Sequence, residues 1–112
     1  MGKNSMELIT IVVQRKDGQR TIDAAINAGA PGVTSYYGRG TGVRQKLSVF
    51  GMFIEAEKQV ILIAAANGKA DKILAGIVKE IGLDKPGKGF AYIQTIDRVV
   101  GYYEGGDGKK PD

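Results

Sequence analysis

Four short segments predicted as strands and two segments of helical periodicity follow one another along the chain, and their order constrains the fold more than any other feature. The predicted strands span residues 8–13, 33–37, 60–65 and 90–96, and the runs at 8–13 and 60–65 are continuously apolar, as in strands buried on both faces. Between them, one helical face is predicted from positions 22, 25, 26 and 29, and another from 70, 73, 74, 77, 78 and 81. The predicted element order is β-α-β-β-α-β.

This order predicts a ferredoxin-like α+β fold, a four-stranded antiparallel sheet with both helices on one face. The strands are apolar on both sides, yet no third layer is available to cover the second face. A domain this small buries too little surface on its own. We therefore expect a homo-oligomer that associates through the open face of the sheet.

The connections carry turn and cap signals. Gly29 and Gly82 are predicted to end the two helices, and Asp17 and Asn67 to cap their N-termini. Residues 55–58 are predicted to form a turn before the third strand. We expect residues 38–46 to be loop, 47–54 to be either loop or part of a hairpin, and 99–103 to extend the last strand or add an edge.

The chain is predicted to hold one domain, residues 6–104. Residues 1–5 are interpreted as a leader outside the fold, and the glycine-rich residues 105–112 as a flexible tail. No apolar run approaches the roughly 18 residues that a membrane span requires, and no secretory segment opens the chain. The expected location is the cytoplasm.

Composition excludes many chemistries. The chain has no Cys and no His, which removes thiolate metal sites, cysteine nucleophiles and the usual general base. It also shows no acidic cluster that would hold a metal. We therefore predict a binding protein with no catalytic residues, no metal and no obligatory cofactor. The formal net charge of +4 favours phosphate-bearing ligands without naming one.

Two glycine clusters carry the candidate binding residues. Residues 38–46 combine three glycines with two arginines and a lysine, a cationic loop suited to phosphate or carboxylate, or simply a solvated mobile loop. Residues 82–89 match the first part of a P-loop but run from helix to strand, and Gly89 stands at the hydroxyl position. We interpret this second segment as an anion-binding glycine nest or an ordinary helix-to-strand connection.

Three motifs together resemble the PII signal-transduction superfamily. They are Gly-Val-Thr at 32–34, Gly-Thr-Gly-Val-Arg-Gln-Lys at 40–46 and Pro-Gly-Lys-Gly-Phe at 86–90. The resemblance covers residues 6 to about 103 and includes the element order. In that family the first glycine cluster opens a long T-loop and the second forms a B-loop.

The resemblance implies a homotrimer that binds an adenine nucleotide in the clefts between subunits. Carried over position by position, the nucleotide-binding residues would be Thr34, Gly40, Gly42, Arg44, Gln45, Gly87 and Lys88. Further candidates for phosphate or a small anion are Lys46, Lys58 and Arg98.

Several departures from the family pattern indicate a divergent member with a shortened T-loop. Only 11 residues separate Lys46 from Lys58, Leu62 stands where a strand Glu is usual, and the two phosphate-binding arginines of the last strand have no match apart from Arg98. Less positive charge is therefore available for a triphosphate. ADP or AMP, alone or with a small anion such as bicarbonate, is favoured over magnesium-bound ATP.

The predicted function is regulatory: nucleotide binding would order the T-loop, which would then contact a partner such as a membrane transporter or an enzyme. The alternative is a ligand-free trimeric interaction module with the same kind of partner. RNA binding is a weaker alternative, because the strands lack an RNP-type aromatic pattern, and no nucleic-acid partner is expected.

Overall fold

The structure, a computed structural model, describes residues 5–40 and 56–102. A single 3₁₀ turn, Arg15–Asp17, joins the first strand to the first helix. The predicted order of strands and helices is confirmed. In chain order the elements are β1 (Met6–Gln14), α1 (Gly18–Asn27), β2 (Thr34–Gly40), β3 (Ala56–Ala66), α2 (Ala70–Ile81) and β4 (Gly89–Ile96).

The four strands form one sheet in the order β2-β3-β1-β4, with every neighbouring pair antiparallel. This is the strand order of the ferredoxin-like fold and confirms the predicted class. Strand β1 lies inside the sheet and pairs with both β3 and β4. The homotrimer stays a prediction, because the structure contains one chain.

The core lies between the sheet and the two helices. Alternate residues of the central strands are fully buried there, with Ile9 paired to Ile63 and Ile11 paired to Ile61. The helices contribute Ala25, Ile73, Ile77 and other buried side chains to the same layer. Where they approach each other, a β-carbon added at Gly76 would lie only 2.8 Å from Cβ of Ala28.

The opposite side of the sheet, here called the open face, is also largely apolar. It carries Leu8, Val12, Val60, Leu62, Tyr36, Phe90 and Tyr92, by the register of the strands. Tyr36, Phe90 and Tyr92 are 53%, 56% and 46% exposed. The predicted second apolar face is therefore present, and within the protomer these aromatic rings are about half covered.

The sheet has two ends, here called the loop end and the far end. At the loop end, β1 and β2 finish at Gln14 and Gly40, while β3 and β4 begin at Ala56 and Gly89. At the far end lie Met6, Thr34, Ala66 and Ile96. The described parts of both glycine clusters therefore lie at the loop end, on the two opposite edges of the sheet.

The helix boundaries confirm some sequence signals and correct others. Gly82 ends α2 in the left-handed conformation at φ 70°, as predicted. Asn67 is not the N-cap of α2: its N–H donates to the carbonyl of Ser5, and the helix begins three residues later. Asp17 does occupy the N-cap position of α1, but its side chain makes no capping hydrogen bond.

Two predicted connections are strand instead. Gly38–Gly40 continues β2 and pairs with residues 56–58, which were predicted as a turn and form the start of β3. Glycine composition suggested a loop, but the pairing with β3 determines the structure. Residues 97–102 follow β4 without strand structure, so the predicted extension is wrong over 99–102, although the Tyr102 hydroxyl lies 3.4 Å from the carbonyl oxygen of Ala64.

Several predictions fall outside the described residues: the hairpin at 47–54, the tail at 105–112 and most of the leader. Ser5, assigned to the leader, accepts the Asn67 hydrogen bond at 3.0 Å. Within the described parts of the chain, neither helix is long and apolar enough to cross a membrane. The cytoplasmic location stays a prediction.

Replacing Gly89 with Ala is expected to destabilise the fold by about 3 kcal/mol. The added β-carbon would lie 2.1 Å from the carbonyl oxygen of Val12, and φ is +135°. Urea unfolding at a fixed protomer concentration measures the loss. The control is Gly38→Ala, another strand glycine, whose added β-carbon would meet no atom within 4 Å. Equal losses in the two variants would contradict this account.

Candidate functional site

Four of the predicted binding residues lie at the loop end of the sheet: Gly40 and Lys58 on β2 and β3, and Gly87 and Lys88 just before β4. Lys58 lies on β3 opposite Gly38 of β2 and Gln14 of β1. Its aliphatic stem runs alongside Gly40, since a β-carbon added at Gly40 would lie 3.7 Å from Cγ and Cε of Lys58. A glycine at position 40 therefore leaves room beside this lysine.

The 82–89 segment forms two successive turns between α2 and β4. The N–H of Lys85 donates to the carbonyl of Gly82 at 2.9 Å, and the N–H of Lys88 donates to the carbonyl of Lys85 at 3.3 Å. Gly87 adopts φ 82°, a left-handed conformation that favours glycine. The Gln14 side-chain amide donates to the Gly87 carbonyl at 3.3 Å, which ties this segment to the end of β1.

Lys88 is directed toward the start of α1. Its Nζ lies 3.8 Å from Oδ2 of Asp17, and the Lys88 side chain keeps 34% of its surface exposed while that of Asp17 keeps 10%. The lysine is therefore reachable from solvent although one of its neighbours is a nearly buried carboxylate.

A cleft of about 420 Å³ opens beside Lys88, between the end of α2 and the start of α1. Its charged lining residues are Arg20, Lys79, Glu80, Asp84, Lys85 and Lys88. Arg20 crosses from α1 and donates to the carbonyl of Glu80 at 2.9 Å. Four cations against two carboxylates give the cleft a positive balance suited to an anionic group.

A second cluster brackets the ends of the 41–55 segment. The Arg15 guanidinium forms an ion pair with Glu57, the second residue of β3, and lies over the Tyr37 ring of β2 at 4.5 Å from its centroid. The hydrogen bond and charge of Arg15 lower the pKa of Glu57 below its ordinary value of 4.5, and the same pair raises the pKa of Arg15. Glu57 is thus part of a specific contact and not of a solvated turn.

The remaining predicted residues lie elsewhere. Thr34 starts β2 opposite Leu62, and Arg98 follows β4, so both are at the far end of the sheet from Lys88. Gly42, Arg44, Gln45 and Lys46 lie outside the described residues. One protomer therefore brings together only part of the predicted set, and the binding roles of all these residues stay predictions.

Sequence reasoning missed Gln14, Arg15 and Asp17 as residues of this site. A signal was present, because the polar run at 14–17 directly follows a buried strand. Among residues 5–40 and 56–102, no three acidic side chains gather as a metal site would require. The prediction that the protein holds no metal is not tested by this.

The fold and this site define a ferredoxin-like domain with a glycine-rich, lysine-bearing loop at one end of its sheet. The family model of the nitrogen regulatory protein P-II matches residues 6–105. The chain therefore belongs to the P-II family, a family of regulatory signalling proteins, and the resemblance drawn from the motifs is confirmed.

Solved structures agree on the fold. The structure of B. subtilis GlnK aligns with a TM-score of 0.64 at 15% sequence identity, covering 83% of this chain and 86% of that chain. The B. subtilis GlnK–ATP complex aligns with a TM-score of 0.63 at 15% identity, covering 84% of this chain and 86% of that chain. No curated protein matches the sequence significantly.

Replacing Glu57 with Gln is expected to lower the melting temperature slightly at pH 7, because the ion pair with Arg15 is lost. The folded-state pKa of Glu57 is lowered, so its stabilising contribution is present above the unfolded value of 4.5 and lost as pH falls through the folded value. The difference between wild type and variant should therefore disappear in acid.

Melting curves between pH 3 and pH 8 test this directly. The matched control is the same substitution in an Arg15→Met background, where Glu57→Gln should have little effect at any pH. A pH-independent difference, or an undiminished effect without Arg15, would show that the ion pair is not its source.

Proposed function

We propose that this P-II family protein binds an adenine nucleotide at the loop end of its sheet, in clefts between the subunits of a homotrimer. Binding then sets the conformation of the 41–55 segment, which contacts a partner protein such as a membrane transporter or an enzyme. The observation that carries the proposal is the contact of the 82–89 loop with the end of β1, at the same end of the sheet where β2 finishes and β3 begins.

Phosphate binding at this end has a simple physical basis. Gly87 allows close approach of the backbone, and Lys88 and Lys58 supply positive charge. Arg44 and Gln45 follow Gly40 closely in the sequence and would add bidentate and hydrogen-bonding groups. The solved ATP complex of B. subtilis GlnK, a protein of the same fold, supports an adenine nucleotide as the ligand class.

A nucleotide with fewer phosphate charges suits this chain better than magnesium-bound ATP. Arg98, the one candidate for the arginines missing from the last strand, follows β4 at the far end of the sheet. A small anion such as bicarbonate would then bind as a second effector and neutralise the positive charge that the shorter phosphate chain leaves unpaired. Coupling between two such ligands would be reciprocal.

The open face provides the surface for the trimer. Half-exposed Tyr36, Phe90 and Tyr92 lie on it beside apolar β1 and β3 residues, an arrangement that association would cover. A contact between subunits would also bring together binding residues that lie at opposite ends of the sheet within one protomer. Thr34 and Arg98 of one subunit would approach the loop end of its neighbour.

The cluster of Arg15, Glu57 and Tyr37 would link ligand binding to the conformation of the 41–55 segment. Arg15 contacts Glu57 on β3 and Tyr37 on β2, the two strands that enter and leave the 41–55 segment. A ligand that shifts Lys58 or Gly40 would act on the same two strands. The segment would therefore respond to occupancy of the site through its own anchors.

Calorimetric titration with ATP, ADP and AMP, each with and without bicarbonate or 2-oxoglutarate, tests the proposal. ADP or AMP should bind to wild type, and Lys88→Ala should weaken that binding about tenfold or more, because a charge-assisted contact to phosphate is lost. Lys72→Ala is the control, since Lys72 is an exposed lysine of α2 away from the cleft lining.

Binding to wild type that is insensitive to Lys88 would place the nucleotide elsewhere. If no nucleotide binds at millimolar concentration, the ligand-free interaction module becomes the better account of the protein.

Replacing Tyr92 with Asp is expected to convert the trimer to monomers, because a charge would be buried in the apolar contact. Tyr92 is 46% exposed in the protomer, so the folded monomer should tolerate the change. Sedimentation velocity reports the oligomer. Ile26→Asp, the same kind of change at a 55% exposed position on α1, should leave the trimer intact. A wild-type monomer would overturn this part of the proposal.

A further inference from the structure

Asp17 occupies a capping position without capping. It directly precedes α1, where an Asp side chain ordinarily accepts a hydrogen bond from an N–H of the first turn. No such bond is made, although the backbone carbonyl of Asp17 accepts from the Thr21 hydroxyl at 2.8 Å. The carboxylate is instead 3.8 Å from the Lys88 ammonium and only 10% exposed. The carboxylate therefore faces Lys88 and not the N–H groups of the helix.

We propose that Asp17 makes the site prefer nucleotides with fewer negative charges on their phosphate chain. It does so by holding Lys88 in an ion pair that every phosphate ligand must share. The inference rests on the proposed nucleotide site. A nearly buried carboxylate is poorly screened, so it repels an incoming phosphate group at short range. The repulsion grows with the charge of the ligand, and nucleoside mono- and diphosphates are selected over triphosphates.

The surroundings of the pair allow a ligand to reach it. The Lys88 side chain is about one-third exposed and lines the cleft that opens toward Lys85 and Arg20. The Arg20 guanidinium donates to the Glu80 carbonyl. Lys88 can thus contact a phosphate from the cleft while Asp17 stays beside it, so the carboxylate acts on the bound ligand and does not block entry.

The test compares the affinities of ATP, ADP and AMP for wild type and Asp17→Asn, which removes the charge and keeps the shape. ATP should bind at least about fivefold more tightly to the variant, ADP less so, and AMP within about twofold, because the removed repulsion scales with ligand charge. The ratio of the AMP to the ATP dissociation constant is the readout, since a general loss of stability would not move it in this direction.

Two controls separate charge at this position from charge in general. Asp23→Asn, an exposed α1 carboxylate that accepts from Gln19, changes the net charge equally and should leave the ratio unchanged. Asp17→Glu should retain the wild-type preference.

The outcomes are distinguishable. If wild type binds nucleotide and Asp17→Asn leaves the ratio unchanged, or Asp23→Asn changes it equally, Asp17 has no selective role while the proposed function stands. If only Asp17→Asn binds, the carboxylate excludes every nucleotide instead of selecting among them, and the inference is wrong. If neither protein binds any of the three nucleotides, both the proposed function and this inference are wrong.

Discussion

The pairing of β1 with both β3 and β4 is the constraint on which the rest of the structure depends. Val13 lies opposite Gly89 and Gln14 opposite Lys58, so the end of one strand fixes the positions of two loops that are distant in sequence. The buried isoleucines of the same strand hold this register against the helices, since a slip of one residue would move them to the open face. Core packing and site geometry are therefore specified by the same residues.

The sequence was sufficient for the layout because most elements carry either a continuous apolar run or an apolar repeat. The apolar repeat of α2 predicts its bounds, and the glycines after both helices predict their ends. Predictions from local composition failed where contacts between distant parts of the chain determine the structure. Gly38 and Gly40 favour a loop but pair with β3, and Asn67 favours a helix cap but its N–H bonds to Ser5. The glycine clusters of the site were visible in the sequence, whereas Asp17 and Arg15 became part of it only through contacts across the fold.

The division of the predicted binding residues between two ends of the sheet makes assembly part of the proposed chemistry. Lys88 and Gly87 are at one end, and Thr34 and Arg98 are at the other. No side-chain movement within one subunit spans a whole strand, so a ligand that used all four would have to bridge neighbours. Ligand affinity would then depend on protomer concentration, because folding, assembly and binding are linked equilibria.

The joined ends of the 41–55 segment have a consequence for how such a protein changes over evolutionary time. The β2–β3 ladder and the Arg15–Glu57 contact hold the two ends of this segment together without using any of its own residues. Once closure is secured, doubling the length of a loop adds only about 0.6 kcal/mol of entropic cost. For a segment held at both ends in this way, insertions and deletions are therefore nearly neutral for folding, and the chain can change there while the β2–β3 ladder stays intact.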